Sequence, residues 1–319
     1  MIRVNRIAFA NLPTPLQYAK FEGKKFLIKR DDLSGVELSG NKVRKLEYIL
    51  YQAKREKSDY VFTCGGEQSN HARATVIAAA ILGMRTKLFL WGKEKFHPDG
   101  NLFLSKFFGA EIRYLNLTEY QNVNEIMLDE KNSFNKRNLK VHVIPEGGST
   151  VVGLMGYFNF VKELNSQINL RKLNGILTAA GTGGTAAGIL AGFSDAKIKA
   201  KVYAVNVLYS KKIIEEKILL LAEAFCREYK INSKIDPDNL VILDGYSSEG
   251  YKNIDELKIK LIRKFASTSG IIFDPAYTGK AFYAYRQNFL QKEKDSKIIF
   301  LHTGGIFGAF SKRQKYLEA

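Results

Sequence analysis

Lys42 is the residue of this 319-residue sequence whose surroundings point most directly to chemistry. It follows a Gly-Asn pair and precedes apolar residues at helical spacing, namely Val43, Leu46, Leu50 and Ala53. We therefore expect Lys42 just before a helix, where the backbone dipole disfavours a cation and eases loss of the proton. A deprotonated lysine amine can form a Schiff base with a carbonyl carbon. Lysine and arginine together number 49, so position alone does not single out this residue.

Ser69 and Asn70 stand where a predicted strand gives way to a predicted helix, after two glycines. The first N–H groups of a helix lack partners within the helix and bind a carboxylate well. Serine and asparagine are also favoured simply as helix caps. The sequence leaves both interpretations open, a carboxylate site or a structural cap. The neighbouring Cys64 and His71 are expected to be structural.

Residues 179–188 predict a phosphate site between a strand and a helix. Three glycines and two threonines are concentrated there, at Gly181, Thr182, Gly183, Gly184 and Thr185. Backbone N–H groups and hydroxyls at a helix start can donate to phosphate. The spacing also fits a dinucleotide pattern, but that pattern expects an acid after the next strand, and residues 203–207 contain none. A monophosphate therefore fits better.

Short apolar runs alternate with helical patterns along the chain, which predicts an α/β fold with mostly parallel sheets. The predicted strands are 60–64, 86–90, 111–115, 141–144, 176–180, 201–206 and 297–301. The predicted helices are 69–82, 102–108, 151–164, 185–193, 213–230, 254–267 and 279–292. Both the Ser69 segment and the glycine-rich segment fall at turns from a strand to a helix.

Composition argues against several other classes of protein. A hydrophobic content of 45% supports a large core in one large or two medium domains. The longest near-apolar run, 74–84, is too short for a bilayer and no signal peptide is recognisable, so we expect a soluble, cytoplasmic protein. Two cysteines and four scattered histidines predict neither a disulfide framework nor a metal site. The net charge of +17 is interleaved with acids, so we expect no nucleic-acid or membrane partner.

Several segments together resemble the family of 1-aminocyclopropane-1-carboxylate (ACC) deaminases and D-cysteine desulfhydrases. The resemblance runs from Leu12-Pro13-Thr14-Pro15-Leu16 to His302-Thr303-Gly304-Gly305 and includes Gly40-Asn41-Lys42-Val43-Arg44-Lys45-Leu46-Glu47-Tyr48. Members of this family are pyridoxal-phosphate (PLP) enzymes of fold type II, the tryptophan-synthase β type. The resemblance implies a larger domain, 1–45 plus 161–319, a smaller inserted domain, 46–160, and PLP in the cleft between them.

The resemblance also assigns roles to the polar candidates. Lys42 would carry PLP covalently, and Asn70 would donate to its phenolic oxygen. Residues 181–185 would hold the PLP phosphate. Ser69 would bind the substrate carboxylate, so a small amino acid is the expected substrate.

Tyr251 and Tyr277 are typical core aromatics when taken alone, but the resemblance places both around the substrate, with Tyr277 close enough to assist proton transfer. Lys252 follows Tyr251 where the family usually has glycine, so this match is looser.

The next position after Tyr277, Thr278, separates two activities. ACC deaminases typically have glutamate there, facing the pyridine nitrogen of PLP, and a carboxylate keeps that nitrogen protonated and the ring a strong electron sink. A threonine hydroxyl offers only a neutral hydrogen bond, which favours β-elimination over opening of a cyclopropane.

We therefore expect a PLP-dependent lyase that converts D-cysteine to pyruvate, sulfide and ammonia, and by resemblance a homodimer. An ACC deaminase, which forms 2-oxobutyrate and ammonia, is the nearest alternative. An L-cysteate sulfo-lyase-like eliminase and a non-catalytic PLP- or nucleotide-binding protein also stay open.

Overall fold

The computed structural model describes residues 4–292 and 297–318, and their strands form two sheets. The strands are β1 (Leu16–Phe21), β2 (Lys24–Arg30), β3 (Tyr60–Gly66), β4 (Arg85–Trp91), β5 (Glu111–Leu115), β6 (Val141–Ile144), β7 (Gly175–Ala180), β8 (Lys201–Asn206), β9 (Leu240–Leu243) and β10 (Ile298–His302). The larger sheet has the order β1-β2-β10-β7-β8-β9, and the smaller has the order β5-β4-β3-β6. Of the described strand pairs, β1 with β2 is antiparallel and the others are parallel. The predicted α/β class with mostly parallel sheets is confirmed.

Helices flank both sheets. They are α1 (Asn41–Arg55), α2 (Asn70–Ile81), α3 (Gly100–Phe107), α4 (Leu117–Gln121), α5 (Val123–Asn135), α6 (Val151–Gln167), α7 (Gly184–Asp195), α8 (Lys211–Glu228), α9 (Glu256–Ser269), α10 (Thr278–Tyr285), α11 (Ile306–Phe310) and α12 (Arg313–Glu318). Side-chain oxygens cap several of them by accepting from a backbone N–H of the first turn, as Ser69, Thr150, Ser210 and Asp255 do.

The strands β3 and β7 position the site because each leads directly toward a helix start. Both are buried along their whole length, as expected where helices cover the two faces of a parallel sheet. Their apolar runs made them recognisable in the sequence. The carboxyl end of β3 leads to α2, and that of β7 leads to α7.

Some elements differ from the sequence-based expectations. The strands β1, β2 and β9 and the helices α4 and α5 were not predicted. The hairpin strands β1 and β2 carry lysines among their apolar residues and lie at the edge of the sheet, where charges are tolerated. The helix predicted at 279–292 ends at Tyr285 and continues as a π-helical turn, Arg286–Leu290.

Helices α1 and α6 approach each other closely at Gly156. A Cβ on Gly156 would lie 2.3 Å from the Arg44 carbonyl oxygen, so only glycine fits at this crossing. A buried ion cluster adjoins it, in which the Arg44 guanidinium donates to Asp31 at 2.8 Å and to Glu163 at 2.7 Å. The cluster ties α1 and α6 to the turn after β2 and thereby fixes the start of α1.

No helix within residues 4–292 and 297–318 has the length and apolar character needed to cross a membrane. Within the same residues, no group of three or more histidine, cysteine, aspartate or glutamate side chains is placed to hold a metal ion.

Candidate active site

One cavity gathers nearly all the residues that the sequence singles out. Its lining includes Lys42, Ser69, Asn70, Gly181, Thr182, Gly183, Gly184, Thr185, Tyr251 and Tyr277. The starts of α1, α2 and α7 converge on it, beyond the carboxyl ends of β3 and β7. Ligands of parallel α/β sheets bind at this edge of the strands. Among the predicted site residues, Thr278 alone does not line the cavity.

Lys42 extends into the cavity from the first turn of α1. The helix begins one residue before Lys42, which corrects the predicted start, and Gly40 is its N-cap with φ of 93°. Glycine is required there, because a Cβ would lie 2.8 Å from the Thr303 carbonyl oxygen. The Lys42 Nζ atom lies 3.3 Å from the Gly147 carbonyl oxygen. Burial lowers the pKa of the Lys42 amine to about 8, although the carboxylate of Glu146 opposes the shift.

Lys45 is a second lysine of the site, which sequence reasoning missed. Its Nζ atom is buried and lies 3.2 Å from both the Gly147 carbonyl oxygen and the Ser149 hydroxyl. A Cβ on Gly184 would lie 2.7 Å from this Nζ, so the amine faces the glycine-rich loop. Burial and the charge of Lys42 hold the pKa of Lys45 well below its usual value. The available signal was its position three residues after Lys42, on the same helical face.

The glycine-rich loop joins β7 to α7 and has the shape of an anion cradle. Gly183 adopts a left-handed conformation with φ of 84°, and Gly184 then starts the helix. The Thr182 and Ser149 hydroxyls are 2.7 Å apart. The Thr185 hydroxyl accepts from the Asn41 side chain at 3.0 Å. Free N–H groups at the helix start, two threonine hydroxyls and the facing lysine together suit a phosphate group.

Ser69 and Asn70 lie at the start of α2, where the structure shows Ser69 as the helix cap, and the role of these residues as a carboxylate site stays a prediction. The Ser69 hydroxyl oxygen caps the helix by accepting from the Ala72 N–H at 3.1 Å, and its hydrogen remains available to a ligand. The Asn70 side-chain oxygen accepts from Asn101 at 2.9 Å, which leaves the Asn70 NH₂ group as the donor on the cavity side.

Tyr251 and Tyr277 form a hydrogen-bonded pair on the opposite wall, with 2.7 Å between their hydroxyl oxygens. Burial raises the pKa of both phenols, and the proximity of Tyr251 raises that of Tyr277 further. Both hydroxyls therefore keep their protons at neutral pH and act as hydrogen-bond donors rather than as bases.

Thr278 is fully buried next to Tyr277, but its hydroxyl is turned to Asp274. It donates to the Asp274 carboxylate at 2.6 Å and accepts from the Asp274 N–H at 2.8 Å. The same carboxylate also accepts from the backbone N–H groups of Ala276, Tyr277 and Thr278. The expectation that Thr278 faces the cofactor ring stays a prediction.

These lining residues fit pyridoxal phosphate. The cradle offers hydrogen-bond donors for a phosphate, and Lys45 offers a cation. A Cβ on Gly184 would fill the space between the loop and this lysine. Lys42 supplies an amine with a lowered pKa for covalent attachment, and Asn70 supplies an amide donor in the same cavity. The chemistry of this donor set matches the three polar regions of the cofactor, namely its phosphate, aldehyde and phenolic oxygen.

Comparison with known proteins supports the same cofactor. Residues 7–304 match the family model described as pyridoxal-phosphate-dependent enzyme. A Thermotoga maritima protein, named provisionally as a 1-aminocyclopropane-1-carboxylate deaminase, is 39% identical over 97% of this chain and 99% of its own length. The mitochondrial bifunctional D-cysteine desulfhydrase/1-aminocyclopropane-1-carboxylate deaminase of Arabidopsis thaliana is 33% identical over 96% of this chain and 79% of its own length. The D-cysteine desulfhydrase of Salmonella typhimurium is 30% identical over 98% of this chain and 97% of its own length.

Solved structures agree. The crystal structure of an ACC deaminase homologue matches with a TM-score of 0.90 and 34% identity, over 99% of this chain and 96% of that chain. A threonine deaminase from Solanum lycopersicum, at 18% identity and a TM-score of 0.63, shares the fold. The resemblance found in the sequence and its PLP cofactor are confirmed. The chain belongs to the family of pyridoxal-phosphate-dependent enzymes, in the group that contains ACC deaminases and D-cysteine desulfhydrases.

Proposed function

We propose that the protein catalyses β-elimination of a small amino acid, namely the conversion of D-cysteine to pyruvate, sulfide and ammonia. The observation that carries the proposal is the neutral hydroxyl of Thr278 at the position after Tyr277. Threonine has no carboxylate to offer to a pyridine nitrogen. The hydrogen of its hydroxyl is, in addition, already donated to Asp274. The Salmonella and Arabidopsis relatives, both named as D-cysteine desulfhydrases, support the assignment.

The residues of the cavity divide the reaction among them. Ser69 and the N–H groups at the start of α2 bind the substrate carboxylate. Bound PLP supplies the electron sink for the carbanion that forms at the substrate Cα. Lys42, with a pKa of about 8, is the base placed to take the Cα proton. Tyr251 and Tyr277 keep their hydroxyl protons: one hydrogen joins the two hydroxyls, and the other is donated to the substrate and orients it.

ACC deamination is the second candidate, and the name of the Thermotoga maritima relative favours it. Elimination of sulfite from L-cysteate is a weaker candidate reaction, because the carboxylate of Glu146 lies in the cavity. This carboxylate accepts from the Tyr120 hydroxyl at 2.8 Å and, within the described residues, forms no salt bridge. A sulfonate leaving group would be repelled by this charge.

The test is release of sulfide and pyruvate from D-cysteine and from L-cysteine by the PLP-loaded enzyme. We expect both products from D-cysteine, and neither from a Lys42→Ala variant. A yellow, PLP-loaded wild-type enzyme that releases no sulfide from either enantiomer would contradict the proposal. That result would favour ACC deamination or a non-catalytic PLP-binding role.

We also propose a cytoplasmic homodimer, with domains 1–45 plus 161–319 and 46–160, on the basis of the family resemblance. The four strands of the smaller sheet all lie between residues 60 and 144. Phe103 and Phe107 of α3 support a self-associating surface, because they stack 5.7 Å apart while 47% and 71% exposed. The molar mass in solution tests the dimer, and a monomer would contradict it.

A further inference from the structure

His71 is the second residue of α2 and a buried wall of the cavity, with 3% of its surface exposed. Its Nε2 atom lies 2.9 Å from the Thr63 hydroxyl oxygen, and that hydroxyl lies 2.8 Å from the Ile144 carbonyl oxygen. The carbonyl can only accept, so the Thr63 hydrogen points to it. Nε2 must therefore carry the imidazole hydrogen and donate it to Thr63, which leaves Nδ1 as a bare acceptor.

The Nδ1 atom of His71 has no hydrogen-bond partner. Three other buried side-chain atoms of the described residues share this condition, on Thr86, Tyr114 and Glu249, but none of those residues lines the cavity. Burial, and then the charges of Lys42 and Lys45, hold the pKa of His71 well below its usual value. The ring is therefore a neutral acceptor at physiological pH. A buried acceptor without a donor is unfavourable, which indicates that a ligand completes it.

The groups with assigned places in the cavity are poor partners for this atom. A substrate carboxylate, a phosphate and a phenolate oxygen are acceptors, and Nδ1 needs a donor. Lys42 and Lys45 can donate, but Lys42 is assigned to PLP and to the Cα proton, and Lys45 faces the glycine-rich loop that would hold the phosphate. A donor on the substrate side chain remains.

We propose that His71 Nδ1 accepts a hydrogen bond from the thiol or hydroxyl group on the substrate Cβ, which makes His71 a positioning and specificity-determining residue. The inference rests on the proposed function and deepens it. ACC carries no donor on its ring carbons and would leave Nδ1 unsatisfied. The site thus favours amino acids whose β-substituent carries an S–H or O–H hydrogen.

The hydrogen bond positions the leaving group without taking its proton. A neutral imidazole of low basicity does not deprotonate a thiol, whose ordinary pKa is about 8.5. When the Cβ–S bond breaks, its electron pair goes to sulfur, and the group departs as HS⁻ with its hydrogen still attached. Loss of that hydrogen beforehand would leave a dianionic leaving group, so an acceptor that is not a strong base suits the step.

Two substitutions separate the nitrogens of His71. His71→Gln places an amide near the position of Nε2, which can still donate to Thr63, and removes the acceptor at Nδ1. His71→Asn places its carbonyl oxygen near the position of Nδ1 and gives up the bond to Thr63. The substrates are D-cysteine and 3-chloro-D-alanine, whose chlorine carries no hydrogen. We expect His71→Gln to lower kcat/KM for D-cysteine relative to 3-chloro-D-alanine by roughly five- to tenfold, the effect of one hydrogen bond, and His71→Asn to keep the wild-type ratio.

A binding measurement on the PLP-loaded enzyme provides a readout independent of turnover. D-Serine and D-2-aminobutyrate differ by a hydroxyl in place of a methyl, and calorimetry gives their dissociation constants. We expect the wild type and His71→Asn to prefer D-serine, and His71→Gln to lose that preference. The inference is overturned if His71→Gln lowers kcat/KM equally for D-cysteine and 3-chloro-D-alanine, and weakens binding equally for D-serine and D-2-aminobutyrate. Those results would show that His71 only supports the fold. If the wild type eliminates neither substrate, the proposed function fails, and the D-serine preference alone then decides the role of His71.

Discussion

At the scale of single residues, the site depends on a half-buried lysine, Lys42, and a buried lysine, Lys45, one helical turn apart. Lys42 and Lys45 share the Gly147 carbonyl oxygen, at 3.3 Å and 3.2 Å, and little else compensates their charge. Burial lowers the pKa of both amines, and the charge of Lys42 lowers that of Lys45 further. An anion in the cradle would restore the charge of Lys45, while Lys42, with a pKa of about 8, is mostly protonated at pH 7 but loses its proton far more readily than an ordinary lysine. We therefore propose that Lys45 binds the phosphate and that Lys42 reacts.

This division predicts different outcomes for two alanine variants. After reduction with borohydride, Lys42→Ala is expected to retain no covalently bound PLP, because its only assigned attachment amine is gone. Lys45→Ala is expected to retain covalent PLP but to need higher PLP concentrations for saturation, since the phosphate loses its facing cation. Mass spectrometry of the reduced proteins checks both. Covalent PLP on Lys42→Ala would show that another lysine is the attachment site.

The lowered pKa of Lys42 predicts the pH dependence of PLP rebinding by the apoenzyme. Only the neutral amine attacks the PLP aldehyde, so the rate should rise with pH, pass its midpoint near 8 and level off above it. The Glu146 carboxylate holds this pKa up, so Glu146→Gln should move the midpoint to lower pH. Stopped-flow absorbance measures the rate. Glu216→Gln on the exposed face of α8 is the control and should leave the midpoint unchanged. A midpoint near the ordinary lysine value of 10.5 would contradict the prediction.

Thr278 predicts how the two activities of the family can be exchanged. Thr278→Glu should increase ACC ring opening relative to β-elimination, because a carboxylate strengthens the electron sink. Thr278→Gln is the matched control, with the same size and no charge, and should not promote ring opening. The ratio of 2-oxobutyrate from ACC to pyruvate from D-cysteine measures the change. An unchanged ratio in Thr278→Glu would remove this residue from the explanation of specificity.

At the scale of elements, a buried ion cluster sets the position of α1 and hence of Lys42. Burial alone would raise the pKa of Asp31, but Arg44 and a 2.6 Å hydrogen bond from Tyr157 hold it below its usual value. Glu163 of α6 completes the cluster by accepting from Arg44 and from Lys29. Charges buried this fully stay ionised only while each has its partner.

Removing the central partner of this cluster is therefore expected to be costly. Arg44→Met should lower the free energy of unfolding by about 3–5 kcal/mol, because Asp31 is left buried without its cation. Arg227→Met, in an exposed pair with Glu223 on α8, should change it by less than about 0.5 kcal/mol. Urea denaturation followed by circular dichroism gives both values. Equal stability of the two variants would mean that the cluster does not hold α1 in place.

The elements around the cavity were predictable because their signals are local. Buried strands such as β3 and β7 are short apolar runs, and the glycines before α7 predict a tight turn. The hairpin of β1 and β2 is harder to recognise, since β1 has a lysine among its apolar residues and β2 has lysines on both sides of a short apolar run. The spacing of Lys45 from Lys42 is visible in the sequence, but the contacts of Lys45 and His71 could not be predicted, because they depend on the turn at 146–149 packing against α1 and α2. Thr278 was assigned by resemblance, and the Asp274 contact that occupies its hydroxyl has no sequence pattern of its own.

At the scale of the whole molecule, two mostly parallel sheets bring the starts of three helices to one cavity. These helix starts carry the residues that we propose as the reactive amine, the carboxylate site and the phosphate cradle. The net charge of +17 favours the approach of an anionic cofactor. The fold and cofactor are common to the family, so the identity of the reaction depends on a few side chains of the cavity wall. We propose that the neutral Thr278 and the accepting His71 decide between the reactions.

The keto acid released by the PLP-loaded enzyme tests this account most directly. D-Cysteine and ACC are offered in parallel, and pyruvate, 2-oxobutyrate and sulfide are quantified. The account predicts pyruvate and sulfide from D-cysteine and no 2-oxobutyrate from ACC. Release of 2-oxobutyrate from ACC at a comparable or higher rate would contradict the β-elimination assignment, while leaving the fold, the cofactor and Lys42 in place.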